Sequence, residues 1–451
     1  MMEVTNPYNN KVVGSVKACS LEDIKKSVKI LKGYDFSIGA FERSELLSKA
    51  AEKLKEKQEE FINSIIAEIG ISHKDAVHEV ERSVNVINLC AEEAKRIEGE
   101  ITPSEVSKGF DNRLIYSIRE PIGLVLCITP FNHPLNQVVH KAIPALAANN
   151  AVLLKPSRKS PITACKLVNL LYEVGFKEEM IQIITGEDSV IGKDLVSNPG
   201  INMISFTGSV KTGELISSMC GIKKVSLELG GNDALVVDDS ADLEEAASFA
   251  CEGAFRNSGQ RCSSVKRVIL FHSIKNEFIK IFLGKVNNLK LGDPADPSTD
   301  IGTVVDEESA KLIENRIHCA VRDGAEILTG GKRVGAQLSP TVLDNVNMQM
   351  ELVLEETFGP IAPIIDAASI EDAIKIVNST NYGLNAALIS NNYSNIKKFI
   401  KDVVVGGVRI NAASSFRNEM LPFGGINYSG YGRGGIRYAM KEMSNLKTIL
   451  I

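Results

Sequence analysis

A chain of 451 residues, 44% of them hydrophobic and 24% charged, is long enough for two or three ordinary cores. Its net charge of −5, with lysines and glutamates interspersed, excludes a global basic surface for nucleic acid, so any anion binding must be local. No apolar run reaches the length of a membrane span, and the start at residues 1–4 lacks the charged and apolar segments of a secretion signal, so a cytoplasmic protein with no membrane partner is expected.

The eight cysteines include no CxxC pair, and the six histidines form neither HExxH nor a zinc spacing. Reduced thiols and no metal site follow as expectations. In chain order, Asn6-Pro7-Tyr8-Asn9-Asn10 is a turn before a strand over 11–16, and Ser20-Leu21-Glu22-Asp23 caps a helix running to about residue 32. Over 41–70 Leu46, Leu47, Ala50, Leu54, Phe61, Ile62 and Ile65 recur at helical spacing, and a further helix is expected over 74–98. Short apolar runs at 122–128 and 151–154 then flank a helix over 134–149. The alternation continues through 163–173, 181–184, 192–197, 203–206, 213–218 and 225–227. This pattern predicts a parallel sheet with helices on both faces and ligands at the carboxyl ends of its strands. A second α/β region begins near 232, with a strand over 234–237, a helix over 242–255 and a strand over 265–271, and continues through 370–378 and 403–411. The β-prone apolar tail 446–451 would aggregate unless paired. It is expected to complete another subunit's sheet, with the arm 103–119 as the matching partner.

Four segments carry candidate chemistry. Asn257-Ser258-Gly259-Gln260-Arg261-Cys262 sets a cysteine beside a cation that would favour its thiolate, although most free cysteines are small buried apolar residues. Thr207-Gly208-Ser209 follows a strand and opens a helix at Gly213, where N–H groups could meet a phosphate or merely make a tight turn. Glu228, at the end of an apolar strand, is either a general base with a pKa raised by burial or a paired structural glutamate. Asn132, just after a strand, is either an oxyanion donor or a helix cap.

Together with Phe131-Asn132, Lys155-Pro156-Ser157, Glu228-Leu229-Gly230-Gly231, Glu355-Glu356-Thr357-Phe358-Gly359-Pro360 and Pro422-Phe423-Gly424-Gly425, these segments resemble the aldehyde dehydrogenase superfamily in order and spacing over nearly the whole chain. The resemblance implies an α/β aldehyde dehydrogenase fold. A Rossmann-like dinucleotide-binding domain would span 1–102 and 122–231, an α/β catalytic domain 232–436, and a small β oligomerisation arm 103–121 and 437–451, in a homodimer or homotetramer. It implies Cys262 as nucleophile, Asn132 and the Cys262 N–H at the oxyanion, and Glu228 activating water for thioester hydrolysis. Lys155 and Glu356 would hold the two riboses, Phe358 would pack near the nicotinamide, and Gly208 and Ser209 would lie by the pyrophosphate. The chain departs from the family in a shortened leading hairpin and in Arg158, where NAD-preferring relatives commonly carry glutamate. With Lys155 and Ser157 nearby, Arg158 leads to an expectation of NADP at least as well as NAD.

Aligned on the family, Arg82, His133, His140, Arg261 and Arg417 line the aldehyde tunnel, which implies an anionic substrate unless Glu79, Glu81 or Glu419 neutralise them. The longer motifs are most similar to phosphonoacetaldehyde dehydrogenases. The arginine pattern resembles non-phosphorylating glyceraldehyde-3-phosphate dehydrogenases, and the tail resembles lactaldehyde dehydrogenases. Phosphonoacetaldehyde is the leading expected substrate, with glyceraldehyde 3-phosphate, lactaldehyde and succinic semialdehyde as alternatives. A catalytically silent relative is the remaining reading.

Overall fold

The computed structural model describes residues 1–451 apart from 107 and 110–112, with the backbone alone at 188–190. The alternating strands and helices that begin at residue 124 build a six-stranded sheet in the order Gly430–Tyr431, Lys224–Glu228, Met203–Thr207, Leu124–Ile128, Ala151–Lys155, Ile181–Ile183. Only Gly430–Tyr431 runs antiparallel to its neighbour. The chain proceeds from Leu124–Ile128 to one side, then crosses over and restarts with Met203–Thr207 on the other. The loops after these two strands therefore diverge and leave a crevice at their carboxyl ends. Ala151–Lys155 and Met203–Thr207 are buried throughout, so their apolar runs are continuous rather than alternating.

A seven-stranded sheet follows in the order Glu326–Thr329, Thr341–Asp344, Ile361–Ala367, Arg267–Phe271, Ala234–Val237, Asn385–Ile389, Gly407–Ile410. It is parallel except at Glu326–Thr329. It turns the opposite end to the crevice: the loops entering Arg267–Phe271 and Ile361–Ala367 carry Cys262, Glu356 and Phe358, which share a cavity with Asn132 and Gly208. Arg267, buried at the start of its strand, fixes this sheet to the helix Ile370–Val377 by donating to the carbonyls of Asn232, Ile376 and Val377. Carbonyls exposed at a helix carboxyl end are a natural seat for a guanidinium.

The tail Ser444–Leu450 is a strand, as expected, but its partner lies in the same chain. It pairs antiparallel with Ile115–Pro121 over the register Ser444↔Pro121 to Leu450↔Ile115. The pairing expected across subunits is thus made within one, because the arm folds back beside the tail. Of the arm expected over 103–121, residues 107 and 110–112 lie outside the described residues. The third strand of this small sheet, Glu100–Thr102, falls before the expected boundary at 103. Gly430–Tyr431, from the segment assigned to the catalytic region, likewise joins the first sheet.

Other expectations shift at their ends. The long helical stretch over 41–70 divides into Ala40–Glu56 and Gln58–Ile69, and the next helix is His73–Glu93, ending short of 98. The helix after Thr207 begins at Val210 rather than Gly213, because the Ser209 hydroxyl accepts from the Thr212 N–H and caps it.

The helix Pro161–Glu173 has no cap from its own Ser160. Buried Glu68, from Gln58–Ile69, takes that place by accepting from the N–H groups of Ile162 and Thr163 at 2.6 and 2.8 Å and from the Thr163 hydroxyl. Glu68→Ala leaves those donors buried and unpaired, so unfolding measurements should show a loss of about 2–4 kcal/mol, whereas a loss below about 0.5 kcal/mol would refute the capping role.

Candidate active site

Two cavities meet at the cysteine loop. One, of about 590 Å3, is lined by Asn132, Gly208, Ser209, Cys262, Glu356 and Phe358. The other, of about 610 Å3, is lined by Arg82, His133, Asn257, Arg261, Arg417 and Glu419.

The loop between them is held by its backbone. Asn257, Ser258 and Gly259 are consecutive left-handed residues, with φ of 57°, 52° and 69°. Asparagine and glycine tolerate this region and serine is strained there. A Cβ on Gly259 would also collide with the Gly359 carbonyl, and one on Gly231 with the Cys262 carbonyl. The Asn132 amide donates to the Gln260 carbonyl at 2.7 Å, and the Asn257 amide donates to the Asn132 carbonyl at 3.1 Å. The Gln260 side chain bridges to the Thr303 carbonyl and the Val305 N–H. Asn132, which does not begin its helix until four residues later, is thereby tied to the cysteine loop rather than acting as a helix cap.

Two sequence expectations about charge are corrected here. Arg261 does not favour the Cys262 thiolate as its partner: its guanidinium turns to the carbonyls of Glu252 and Gly253 at 2.9 and 3.0 Å, at the carboxyl end of Leu243–Phe255. Burial, followed by the carboxylates of Glu356, Asp233 and Glu228, pushes the Cys262 thiol up to about 12, and the Arg417 guanidinium opposes them. Nor is the Glu228 pKa raised. Burial pushes it up, but the Lys141 ammonium and Arg417 guanidinium, with the Thr207 hydroxyl bond, bring it down to about 2. Lys141 Nζ lies 3.3 Å and Thr207 Oγ1 2.8 Å from Glu228 Oε2.

On the first cavity's wall, Glu356 accepts from the Gly231 N–H at 3.1 Å, and Phe358 meets Phe131 edge-on at 5.9 Å. Lys266, buried beneath, donates to the Gly259 carbonyl at 2.7 Å and stands 5.1 Å from the Phe358 ring. Gly208 and Ser209 lie at the amino end of Val210–Met219, where N–H groups and the helix dipole suit an anion. Arg158 lies at the rim, half exposed and paired with Glu187 at 3.2 Å, so its charge is not unopposed. Lys155 and Ser157 sit in the same segment but off the wall; Lys155 is buried and bonds the Pro156 carbonyl.

In the second cavity Arg82 donates from Nε and one terminal nitrogen to Glu419 Oε1, at 2.9 and 2.6 Å. His140 Nε2 is 3.0 Å and Arg417 Nε 3.5 Å from Glu419 Oε2. Arg417 also stacks over Phe423, 4.1 Å from its centroid. His133 Nδ1 approaches Glu79 at 3.2 Å, and Glu79 accepts from the N–H groups of Leu135 and Asn136. Of the acids foreseen as neutralising partners, Glu419 therefore engages Arg82 and Arg417 and Glu79 engages His133, whereas Glu81 is exposed and engages none of them. His140 stands behind the wall rather than on it.

Sequence reasoning passed over Lys141 and Lys266, and it quoted Thr207 and Asn257 within candidate segments without giving either a role of its own. Lys141 carried a usable signal: a lysine within the largely apolar, buried helix Asn136–Ala147 requires an acidic partner. Among the described residues no group of three or more histidine, cysteine, aspartate or glutamate side chains is arranged to hold a metal, and no helix is long and apolar enough to cross a membrane.

The aldehyde dehydrogenase family model matches residues 1–449. A 3-sulfolactaldehyde dehydrogenase of Priestia aryabhattai is 41% identical over 451 residues, covering 100% of this chain and 94% of the relative. A lactaldehyde dehydrogenase of Methanocaldococcus jannaschii is 39% identical, covering 100% and 97%. A crystal structure of glyceraldehyde-3-phosphate dehydrogenase from Methanocaldococcus jannaschii complexed with NADP superposes with a TM-score of 0.96 at 39% identity, covering 100% of this chain and 99% of that one.

Lys141 lowers the Glu228 pKa, so Lys141→Met should raise it and move the acid limb of the pH–rate profile upward by about one to three units. An unmoved limb in an active variant would show that Lys141 does not control this carboxylate. Gly259→Ala, by contrast, should cost about 100-fold or more in kcat, because the loop cannot keep its conformation.

Proposed function

Because the chain belongs to the aldehyde dehydrogenase family, we propose that this oxidoreductase converts a small anionic aldehyde to its carboxylic acid through covalent catalysis at Cys262, using NAD or NADP with NADP favoured. The family supports the general reaction on small polar aldehydes. The observation that carries the finer reading is the convergence of two guanidiniums, Arg82 and Arg417, on one buried carboxylate, Glu419, in the cavity beside the cysteine loop. Two cations sharing one acid call for an anion. The relatives named for sulfolactaldehyde, lactaldehyde and glyceraldehyde 3-phosphate all act on three-carbon 2-hydroxyaldehydes. A 2-hydroxyaldehyde with a sulfonate or phosphate on its third carbon is the substrate class this reading favours. Phosphonoacetaldehyde shares the anion and remains in the test panel.

In this mechanism Cys262 Sγ attacks the aldehyde carbon, and the oxyanion is held by the Asn132 amide and the Cys262 N–H. Burial and the nearby carboxylates oppose ionisation of this thiol, and the Arg417 guanidinium lowers the cost of forming the thiolate. The nicotinamide, when bound, supplies the acceptor for the aldehyde hydride. Glu228 takes the proton of a water that attacks the resulting thioester, which releases the acid and returns Cys262. Glu356, Phe358, Gly208, Ser209 and Arg158 would hold the dinucleotide in the first cavity, with Lys155 and Ser157 behind them. A crevice at the carboxyl ends of a parallel sheet, floored by a helix amino end, fits such a molecule. Arg158 would exchange Glu187 for a 2′-phosphate. The tail strand leaves Leu446 and Leu450 exposed, which supports association into a homodimer or homotetramer through this sheet.

Initial rates of NADPH formation should rank 3-sulfolactaldehyde, glyceraldehyde 3-phosphate and phosphonoacetaldehyde above lactaldehyde by about tenfold or more in kcat/KM. Arg82→Ala and Arg417→Ala should each lower kcat/KM for the anionic aldehydes by about 100-fold, chiefly through KM. Equal rates for charged and uncharged aldehydes would defeat the anionic reading. Arg158→Glu should lower the NADP-to-NAD ratio of kcat/KM by about tenfold, and an unchanged ratio would remove Arg158 from cofactor choice.

A further inference from the structure

The walls of the aldehyde cavity carry four arginines, Arg82, Arg256, Arg261 and Arg417, and four acids, Asp75, Glu79, Glu252 and Glu419, and most of these charges have fixed partners. Arg256 is taken by Asp75 at 3.0 Å and Glu252 at 3.4 Å. Glu79 is taken by two N–H groups and His133. Arg261 is seated on main-chain carbonyls. What remains is Arg82 and Arg417 with Glu419 between them.

His140 adds no charge to this cluster. Its Nδ1 faces the Arg417 guanidinium at 3.4 Å and must accept, so its proton lies on Nε2, which stands 3.0 Å from Glu419 Oε2 without a hydrogen bond of good geometry. Burial and the Arg417 cation bring its pKa down to about 4, consistent with that neutral tautomer. Glu419 stays anionic: burial pushes its carboxyl up, but His140 and the two arginines hold it well below the usual carboxylate range. Its backbone is pinned by the Ile436 N–H, and Arg417 is pinned on Phe423. Two guanidiniums against one fixed carboxylate leave a single positive charge facing the cavity.

We propose that Glu419 is a specificity-determining residue, which neutralises one of the two arginines and so matches the cavity to a monoanionic sulfonate in preference to a dianionic phosphate on the same carbon. The proposal rests on the reading that the substrate is a small anionic aldehyde. A sulfonate carries one negative charge across the working pH range. A phosphate ester carries about −1.5 to −2 at neutral pH, with its second pKa near 6. The additional charge would lie beside Glu419 with no cation left to meet it, and like charges in a desolvated site repel strongly.

The test measures kcat and KM for 3-sulfolactaldehyde and glyceraldehyde 3-phosphate from pH 5.5 to 8, in the wild-type enzyme and in Glu419→Gln. In the wild type, KM for the phosphate should fall as the pH drops through about 6 and the monoanion takes over, while KM for the sulfonate shows no such fall. Burial and neighbouring arginines bring the pKa values of His78 and His140 down to about 4, so neither changes charge over this range. In Glu419→Gln the sulfonate-to-phosphate ratio of kcat/KM should drop by about tenfold or more, through KM, and the pH dependence of the ratio should shrink. A pH-independent KM ratio in the wild type, or an unchanged selectivity in an active Glu419→Gln, would overturn the assignment. The wild-type arm decides the matter if the variant does not fold. Failure of both anionic aldehydes to outpace lactaldehyde would overturn the substrate reading and this inference with it. Good turnover of both without discrimination would overturn this inference alone.

Discussion

The Gly231 Cα lies so close to the Cys262 carbonyl that no side chain fits between them, and the Gly259 Cα is placed likewise against the Gly359 carbonyl. The first contact joins elements from different sheets, and the second joins the loops that enter two neighbouring strands of the seven-stranded sheet. One sheet ends at the site and the other begins there, so the Cys262 loop, the Glu356 segment and the glycine turn of the first sheet reach a common point only if main chain can touch main chain. The left-handed run Asn257 to Gly259 follows from the same constraint: the chain must reverse within three residues between the helix Leu243–Phe255 and the buried strand Arg267–Phe271. The amides of Asn132 and Asn257 then close the junction by satisfying carbonyls that the reversal exposes.

Around this junction the protein buries a large number of ionisable groups, and each is held by a specific partner. Lys141 meets Glu228, Lys266 meets the Gly259 carbonyl and the Phe358 face, Arg267 meets three carbonyl groups, and Glu419 meets two arginines and a histidine. Arrangements of this kind contribute little net stability, because desolvation offsets the attraction, but breaking one partner leaves the other stranded. The site is thus rigid in charge as well as in shape. Arginine and lysine are used differently within it: the planar guanidiniums stack or fork, and the ammoniums act as point charges, Lys141 on Glu228 and Ser205 and Lys266 on the Gly259 carbonyl.

Much of this was legible in the sequence, for identifiable reasons. Strands such as Ala151–Lys155 announce themselves because both faces are buried and every residue before Lys155 is apolar. Glu228 ends a strand, and Asn132, Cys262 and Glu356 lie in loops that contain glycine or proline, where turn chemistry marks position. The region from 272 to 369 was harder to read, because its strands are short and its helix Glu307–Arg322 is amphipathic without a neighbouring strand signal. Charge was the least legible property. The effect of Arg261 on Cys262 was inferred from adjacency along the chain and the raised pKa of Glu228 from burial alone, yet the charges that act on them, Glu356, Asp233 and Glu228 on Cys262 and Lys141 and Arg417 on Glu228, are distant in sequence and near in space. A pKa depends on three-dimensional neighbours, and sequence proximity is a poor guide to them.

The two cavities open from opposite sides of one thin loop, with Cys262 on the wall of the first and Arg261 and Asn257 on the wall of the second. The geometry has a kinetic meaning. With the dinucleotide in the first cavity and the aldehyde in the second, as proposed, neither ligand would have to pass through the space of the other. The acid could then depart while the dinucleotide stays, and turnover would run through two independent doors onto a shared room.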